Sequence, residues 1–159
     1  MKGQTAVEYL MTYGWAILII LIVAGVLAYY GIFAPGTFMG PVKKGFATVE
    51  VLSPWDLDSA DVLRLTFENR VGDVINITGV SADAGSTAPT TPTACIGLNP
   101  PDGWVSIPTG SRSGMETLTC IGANAGNEGE SYTIYVIITY DAGTMTSLKS
   151  AGTLSGAVS

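Results

Sequence analysis

Histidine is absent from the 159 residues, and charge is scarce: seven Lys and Arg with thirteen Asp and Glu make up only 13% of the chain. Without imidazole there is no Ser-His or Cys-His nucleophile pair and no imidazole ligand for a metal. No Gly-rich phosphate loop stands in their place, because the glycines are dispersed among turns, and no pattern nominates two carboxylates for acid–base work. The chain is therefore not expected to be an enzyme, and nothing in it asks for a cofactor or a metal. Its cations (Lys2, Lys43, Lys44, Arg64, Arg70, Arg112 and Lys149) are scattered rather than clustered. With a net charge of −6 they make nucleic acid an unexpected partner. An acidic surface favours solubility and mutual repulsion between copies instead.

Cysteine is scarce as well. Cys95 and Cys120 lie 25 positions apart, outside any C-x-x-C pair. In an exported chain they are expected to form a disulfide, contributing about 3–4 kcal/mol for a loop of this size. Two buried free thiols are the alternative.

What the chain has in excess is apolar length. From Tyr9 to Val42 there is no charged side chain, and residues 16–28 are apolar on every face of a helix. A helix from Gln4 to about Tyr30 would be roughly 40 Å long at 1.5 Å per residue, enough to cross a hydrocarbon core. Tyr9, Tyr13, Trp15, Tyr29 and Tyr30 gather towards its ends, as interfacial aromatics do. Pro35-Gly36 and Gly40-Pro41 end it. An ordinary secretory signal fits poorly: Glu8 sits at the membrane edge, the run is too long, and bulky residues follow it where small ones are needed.

The pattern changes after Lys43. Residues 47–52, 62–67, 74–80, 115–121 and 131–140 are short runs of Val, Ile, Thr, Leu and Tyr separated by turn-rich pieces. They read as strands, the last one central, and no helical period of useful length accompanies them. The expected fold is α+β: a long N-terminal hydrophobic helix followed by an antiparallel β-sandwich head of immunoglobulin-like type. Residues 1–3 form a signal peptide on this reading, 4–34 the hydrophobic segment, 35–44 a linker and 45–159 the head.

The opening run Lys2-Gly3-Gln4-Thr5-Ala6-Val7-Glu8-Tyr9-Leu10, continuing through Met11-Thr12-Tyr13-Gly14-Trp15-Ala16-Ile17-Leu18, resembles the class III signal segment of archaeal type IV pilins. The match covers about thirty residues: a basic residue, glycine, glutamine, a glutamate four positions later, then the apolar helix. The resemblance implies cleavage between Gly3 and Gln4 by a prepilin peptidase, and a mature side-chain charge of 6 − 13 = −7. It also implies an assembly ATPase and a membrane platform protein as partners. The precursor would reside in the cytoplasmic membrane, and the product would be an extracellular filament used for adhesion. The residue types suit this chemistry. Gly3 lets the backbone enter a narrow cleft. Cleavage leaves an ammonium on Gln4, and Glu8, one turn on, is placed to pair with that of its own chain or of a neighbour. A neighbour's ammonium would set the axial register of an otherwise featureless helix. Ile17, Leu18, Ile20, Leu21, Ala24, Gly25 and Leu27 would then form the filament core, with small residues allowing close helix approach. Alternatives remain: a minor pilin, an archaellin-like subunit, or a monomeric binding module held by an uncleaved anchor.

Three lesser motifs complete the reading. Asn76-Ile77-Thr78 is the chain's Asn-x-Ser/Thr sequon and a candidate glycan acceptor. Residues 86–93 are Ser/Thr/Pro-rich and read as an exposed loop. Asp56, Asp58 and Asp61 resemble part of a calcium loop but lack its mid-loop glycine, and Phe67 occupies the place of the closing glutamate. They read as a solvated turn before the strand at Val62.

Overall fold

The computed structural model describes residues 4–30, 40–97 and 105–159. One helix, α1 (Gln4–Tyr29), precedes eight strands: β1 (Val42–Gly45), β2 (Val49–Leu57), β3 (Val62–Asn69), β4 (Ile75–Ala84), β5 (Val105–Ile107), β6 (Arg112–Thr119), β7 (Ser131–Ala142) and β8 (Met145–Ala157). The chain is α+β, with an apolar helix followed by antiparallel sheets.

The helix forms despite its side chains as much as because of them. Ile17, Ile19, Ile20, Ile22, Val23 and Val26 are β-branched and mediocre helix formers in water. In an apolar medium a different demand dominates, since every amide must bond within its own segment, and a helix meets that demand everywhere but its end turns. Its final turn is closed by Tyr30 N donating to Val26 O at 3.0 Å.

The strands form two sheets, ordered β1-β8-β7-β4-β5 and β2-β3-β6, with every pairing antiparallel. Alternation builds the core. In β3 every second side chain from Leu63 to Asn69 is buried, and in β7 every second one from Tyr132 to Ala142. Leu57, Leu63, Leu65 and Phe67 from the smaller sheet meet Ile75, Ile77, Ile134, Ile138 and Leu154 from the larger in one cluster. β7 is the middle strand of its sheet, the central place expected for it.

β8 lies outside the runs expected to be strands. Its 13 residues, MTSLKSAGTLSGA, carry little β propensity. Yet it pairs with β7 along nearly its whole length and with β1 on its other side. Small residues are what its position requires. A Cβ on Gly152 would lie 2.5 Å from the Phe46 ring, so only glycine lets that ring cross the strand. β1 likewise brings residues 42–44, assigned from sequence to a linker, into the sheet.

Both seams between the sheets are closed. On one, Ser150 is buried, and its hydroxyl donates to Val49 O at 2.8 Å while accepting Val49 N at 3.3 Å, so one side chain joins β8 to β2. Tyr140 OH donates to Thr48 Oγ1 alongside, at 2.8 Å. On the other, the segment from Thr93 to Gly97 runs between the sheets. Cys95 N donates to Val80 O on β4 at 2.8 Å, and Ile96 exchanges two hydrogen bonds with Thr119 at the end of β6. The disulfide Cys95–Cys120 fixes this seam covalently, as expected from the sequence. Buried Asn69 ties down a third point: its Nδ2 donates to Asp73 O at 2.8 Å and Ile107 O at 2.9 Å, and its Oδ1 accepts Val71 N at 2.8 Å.

Replacing both Cys95 and Cys120 with alanine should lower the head's unfolding free energy by about 3–4 kcal/mol, from the entropy of the released loop. Denaturant melts would read this loss. Faster amide exchange at residues 93–97, ahead of the rest of the head, would show where the seam opens first.

Candidate functional site

The strongest physical demand on this molecule is made by the surface of α1. From Val7 to Tyr29 the helix has the length and composition to cross a membrane, and its apolar window is nowhere covered by the chain's own sheets. Ile17 is 55% exposed and Leu21 66%, with Leu18 and Ile20 comparably open and Ala24 and Leu27 half-covered. Burying an Ile or Leu side chain contributes about 2 kcal/mol. A row of them left in water is therefore costly, which fits a membrane anchor or signal.

The helix surface is not uniform. A Cβ built on Gly14 or Gly25 would meet nothing within 4 Å, so both positions are open to a neighbour. At Gly14 the missing side chain leaves a shallow notch framed by Met11, Trp15 and Leu18, the geometry through which small residues admit another backbone. Towards the N-terminus, Tyr9 OH donates to Tyr13 OH at 3.0 Å, with ring centroids 4.5 Å apart. Glu8 is exposed one turn beyond Gln4, and its carbonyl accepts the Thr12 hydroxyl at 2.9 Å. Gln4 is the first helical residue. Gly3 and residues 31–39 lie outside the described residues, so the cleavage position and most of the expected linker are not described.

The structure places the other sequence candidates apart from the helix. Asn76 is half-buried on β4, within the run expected to be a strand, between Ser106 of β5 and Asp141 of β7 in register. The loop at residues 86–93 is mostly exposed, as expected. The acidic run is a correction. Asp56 lies within β2, and Arg64 Nη1 donates to its Oδ2 at 2.5 Å while Nη2 donates to Asp58 Oδ2 at 3.2 Å. Asp58 Oδ1 accepts the amides of Ala60 and Val62, and Asp61 Oδ1 accepts Ala125 N at 2.7 Å. The expected turn before Val62 is present, but its acids are engaged rather than solvated: Asp56 and Asp58 hold Arg64 and the turn, and Asp61 alone joins it to the loop at 120–125. No cluster of metal-ligating side chains occurs among the described residues.

Sequence reasoning missed a charge network beside β1. Glu50, nearly buried on β2, is paired with Lys43 of β1 and with Arg70, while Lys43 Nζ also donates to Val51 O at 2.9 Å. The signal was present in part: Glu50 lies in an apolar run, where a lone carboxylate demands a partner. The Lys43 ammonium holds the Glu50 carboxyl below its ordinary value of 4.5, against the opposing effect of burial, with Arg70 adding to the shift.

Compared with known proteins, the chain matches no family model, and no curated protein matches it significantly.

Glu50's lowered value fixes a pH dependence. Its stabilising effect is present above about pH 4.5, where the unfolded carboxylate is ionised, and is lost as pH falls below that. Glu50→Gln should therefore destabilise the head by about 1–3 kcal/mol at pH 7. The gap between variant and parent should narrow in thermal melts taken below pH 4.5.

Proposed function

We propose that this chain is a structural subunit of an extracellular filament of the archaeal type IV pilus kind. On this reading α1 passes from the cytoplasmic membrane into a polymer core, and the head, an immunoglobulin-like sandwich, forms the outer layer. The observation that carries the reading is a helix apolar on all sides, left uncovered by its own head, and preceded by the Lys2-Gly3-Gln4 and Glu8 pattern. The disulfide adds support, because such bonds persist in oxidising surroundings outside the cytoplasm.

The physical logic of assembly follows from these parts. Lipid and a bundle of like helices are equally apolar, so transfer between them gains little from hydrophobicity alone. Close packing at Gly14, Gly25 and their neighbours supplies contact energy, and Glu8 paired with the amine of an adjacent Gln4 supplies register. The acidic heads, at 6 − 12 = −6 each, remain outside where water and salt screen their repulsion. Adhesion is the usual output of such a filament. A prepilin peptidase, an assembly ATPase and a membrane platform protein would act before it.

Mass spectrometry of subunits sheared from the cell surface tests the scheme. The expected N-terminus is Gln4, with three residues removed. An intact Met1 found only in membrane fractions would sink it and favour a monomeric module on an uncleaved anchor. Glu8→Gln should reduce filament yield at least about tenfold, as losing the partner of an amine in an apolar setting costs several kcal/mol. Its membrane level should stay unchanged, and normal yield would remove the register role.

A further inference from the structure

The sequon Asn76-Ile77-Thr78 has no part in the helix surface or in the seams of the sandwich, and β4 gives it a definite setting. Ile75 and Ile77 are fully buried, so Asn76 between them faces the outer side of its sheet, and exposed Thr78 follows on that side. Asn69 spends its side chain on three hydrogen bonds, and Asn127 donates to Glu130. The side-chain amide of Asn76, by contrast, bonds to no other described residue. Its register neighbours leave it free. Ser106 is small and exposed, and Asp141 is turned to the β7–β8 turn, where its Oδ1 accepts Ser147 N at 2.8 Å. The Thr78 hydroxyl makes one long bond, to Thr139 O at 3.3 Å.

We propose that Asn76 is an N-glycan acceptor, modified during export before β4 is enclosed by its partner strands. The proposal rests on the export that the filament reading requires, not on polymerisation. Topology supplies the order of events. β4 pairs only with β5 and β7, at residues 105–107 and 131–142. A head that follows an N-terminal membrane helix leaves the membrane in chain order, so Asn76 emerges while both partners are still behind it. At that stage the backbone at 76–78 is unpaired, and a transferase can bend it and grip the Thr78 hydroxyl. Once the sheet closes, Asn76 is half-buried and its strand is held on both sides, which shuts off the acceptor. The donor is an oligosaccharide joined to a membrane lipid through phosphate. Asn76 Nδ2 attacks the anomeric carbon, and the carbon–oxygen bond to the lipid phosphate breaks, leaving its electron pair on the phosphate. The amide proton passes to a carboxylate base of the transferase, and no oxidant or reductant is needed. The product is a bulky, solubilising group on the outer side of β4.

Peptide mass spectrometry of the chain recovered from its own cells tests the proposal. No Lys or Arg lies between Arg70 and Arg112, so trypsin releases residues 71–112 as one peptide after reduction. That peptide should be heavier than its sequence by one saccharide chain. Asn76→Gln and Thr78→Val should each abolish the added mass, and Thr78→Ser, which keeps the hydroxyl, should retain it. Added mass that persists in Asn76→Gln overturns the assignment, as does its loss in Thr78→Ser. An unmodified peptide from exported chains with Cys95–Cys120 formed overturns it too, and leaves the filament reading intact. Chains that stay inside the cell with both thiols free overturn the export reading and the proposal with it, so the two failures are distinguishable. The order of events has its own readout. Unmodified full-length chain is offered to membranes from the same cells, which carry the transferase and its lipid-linked donor. The reduced, unfolded chain should accept sugar at least about tenfold faster than the disulfide-bonded one, because acceptance by the folded chain waits on the opening of β4. Equal rates overturn modification before folding.

Discussion

An amide without a partner costs several kcal/mol in hydrocarbon and somewhat less in a protein interior, and both halves of this chain are organised around that cost. Residues 4–30 meet it locally, with amides past the first turn bonded four residues back, so their side chains are free to be apolar in every direction. The head meets it at long range. Two sheets leave edges, and edges leave amides, so the sandwich closes its seams with a serine hydroxyl on one side and a bridging segment on the other. Pro54 on outer strand β2 and Lys44 on β1 make the remaining edges poor templates for unwanted pairing.

How much of this was legible in the sequence depended on whether a residue's role was local. The helix was plain, because a long uncharged run can satisfy its backbone in an apolar medium only by coiling on itself. β3 and β7 were plain from their alternation of large apolar residues. β8 was hidden, as its glycines, serines and alanines are chosen for what crosses them, and the Phe46 ring that needs Gly152 lies more than a hundred positions away. The carboxylates of Asp56, Asp58 and Asp61 misled for a related reason: their partners, Arg64 and the amide of Ala125, come from the next strand and from a distant loop. Glu50 was silent until Lys43 and Arg70 were brought to it. Pairing of Cys95 with Cys120 was legible because two cysteines allow a single intramolecular bridge.

The candidate site divides in the same way. Composition identifies α1 as a surface seeking cover, with small residues, Gly14 and Gly25 among them, where the structure leaves open space. The outer face of β6 could not be read so directly. Residues 115–121 announce a strand, but which side faces water depends on the pairing with β3, and Ile96 pairs with Thr119 only through a bridge across the sheet seam.

β1 is the strand through which the head continues from the residues after α1. Four of its residues, Val42 to Gly45, are in register with Ser155 to Gly152 of β8, and Lys43 reaches across to Glu50 and Val51. On the proposed filament reading, in which α1 is held and the head is pulled, tension would enter the described part of the head at Val42. For a pull along the strand axis, the β1–β8 hydrogen bonds and the Lys43 ion pair share the load in parallel rather than parting one at a time. On that reading β1 is the suspension point of the head, four residues of ladder between the anchor and the core.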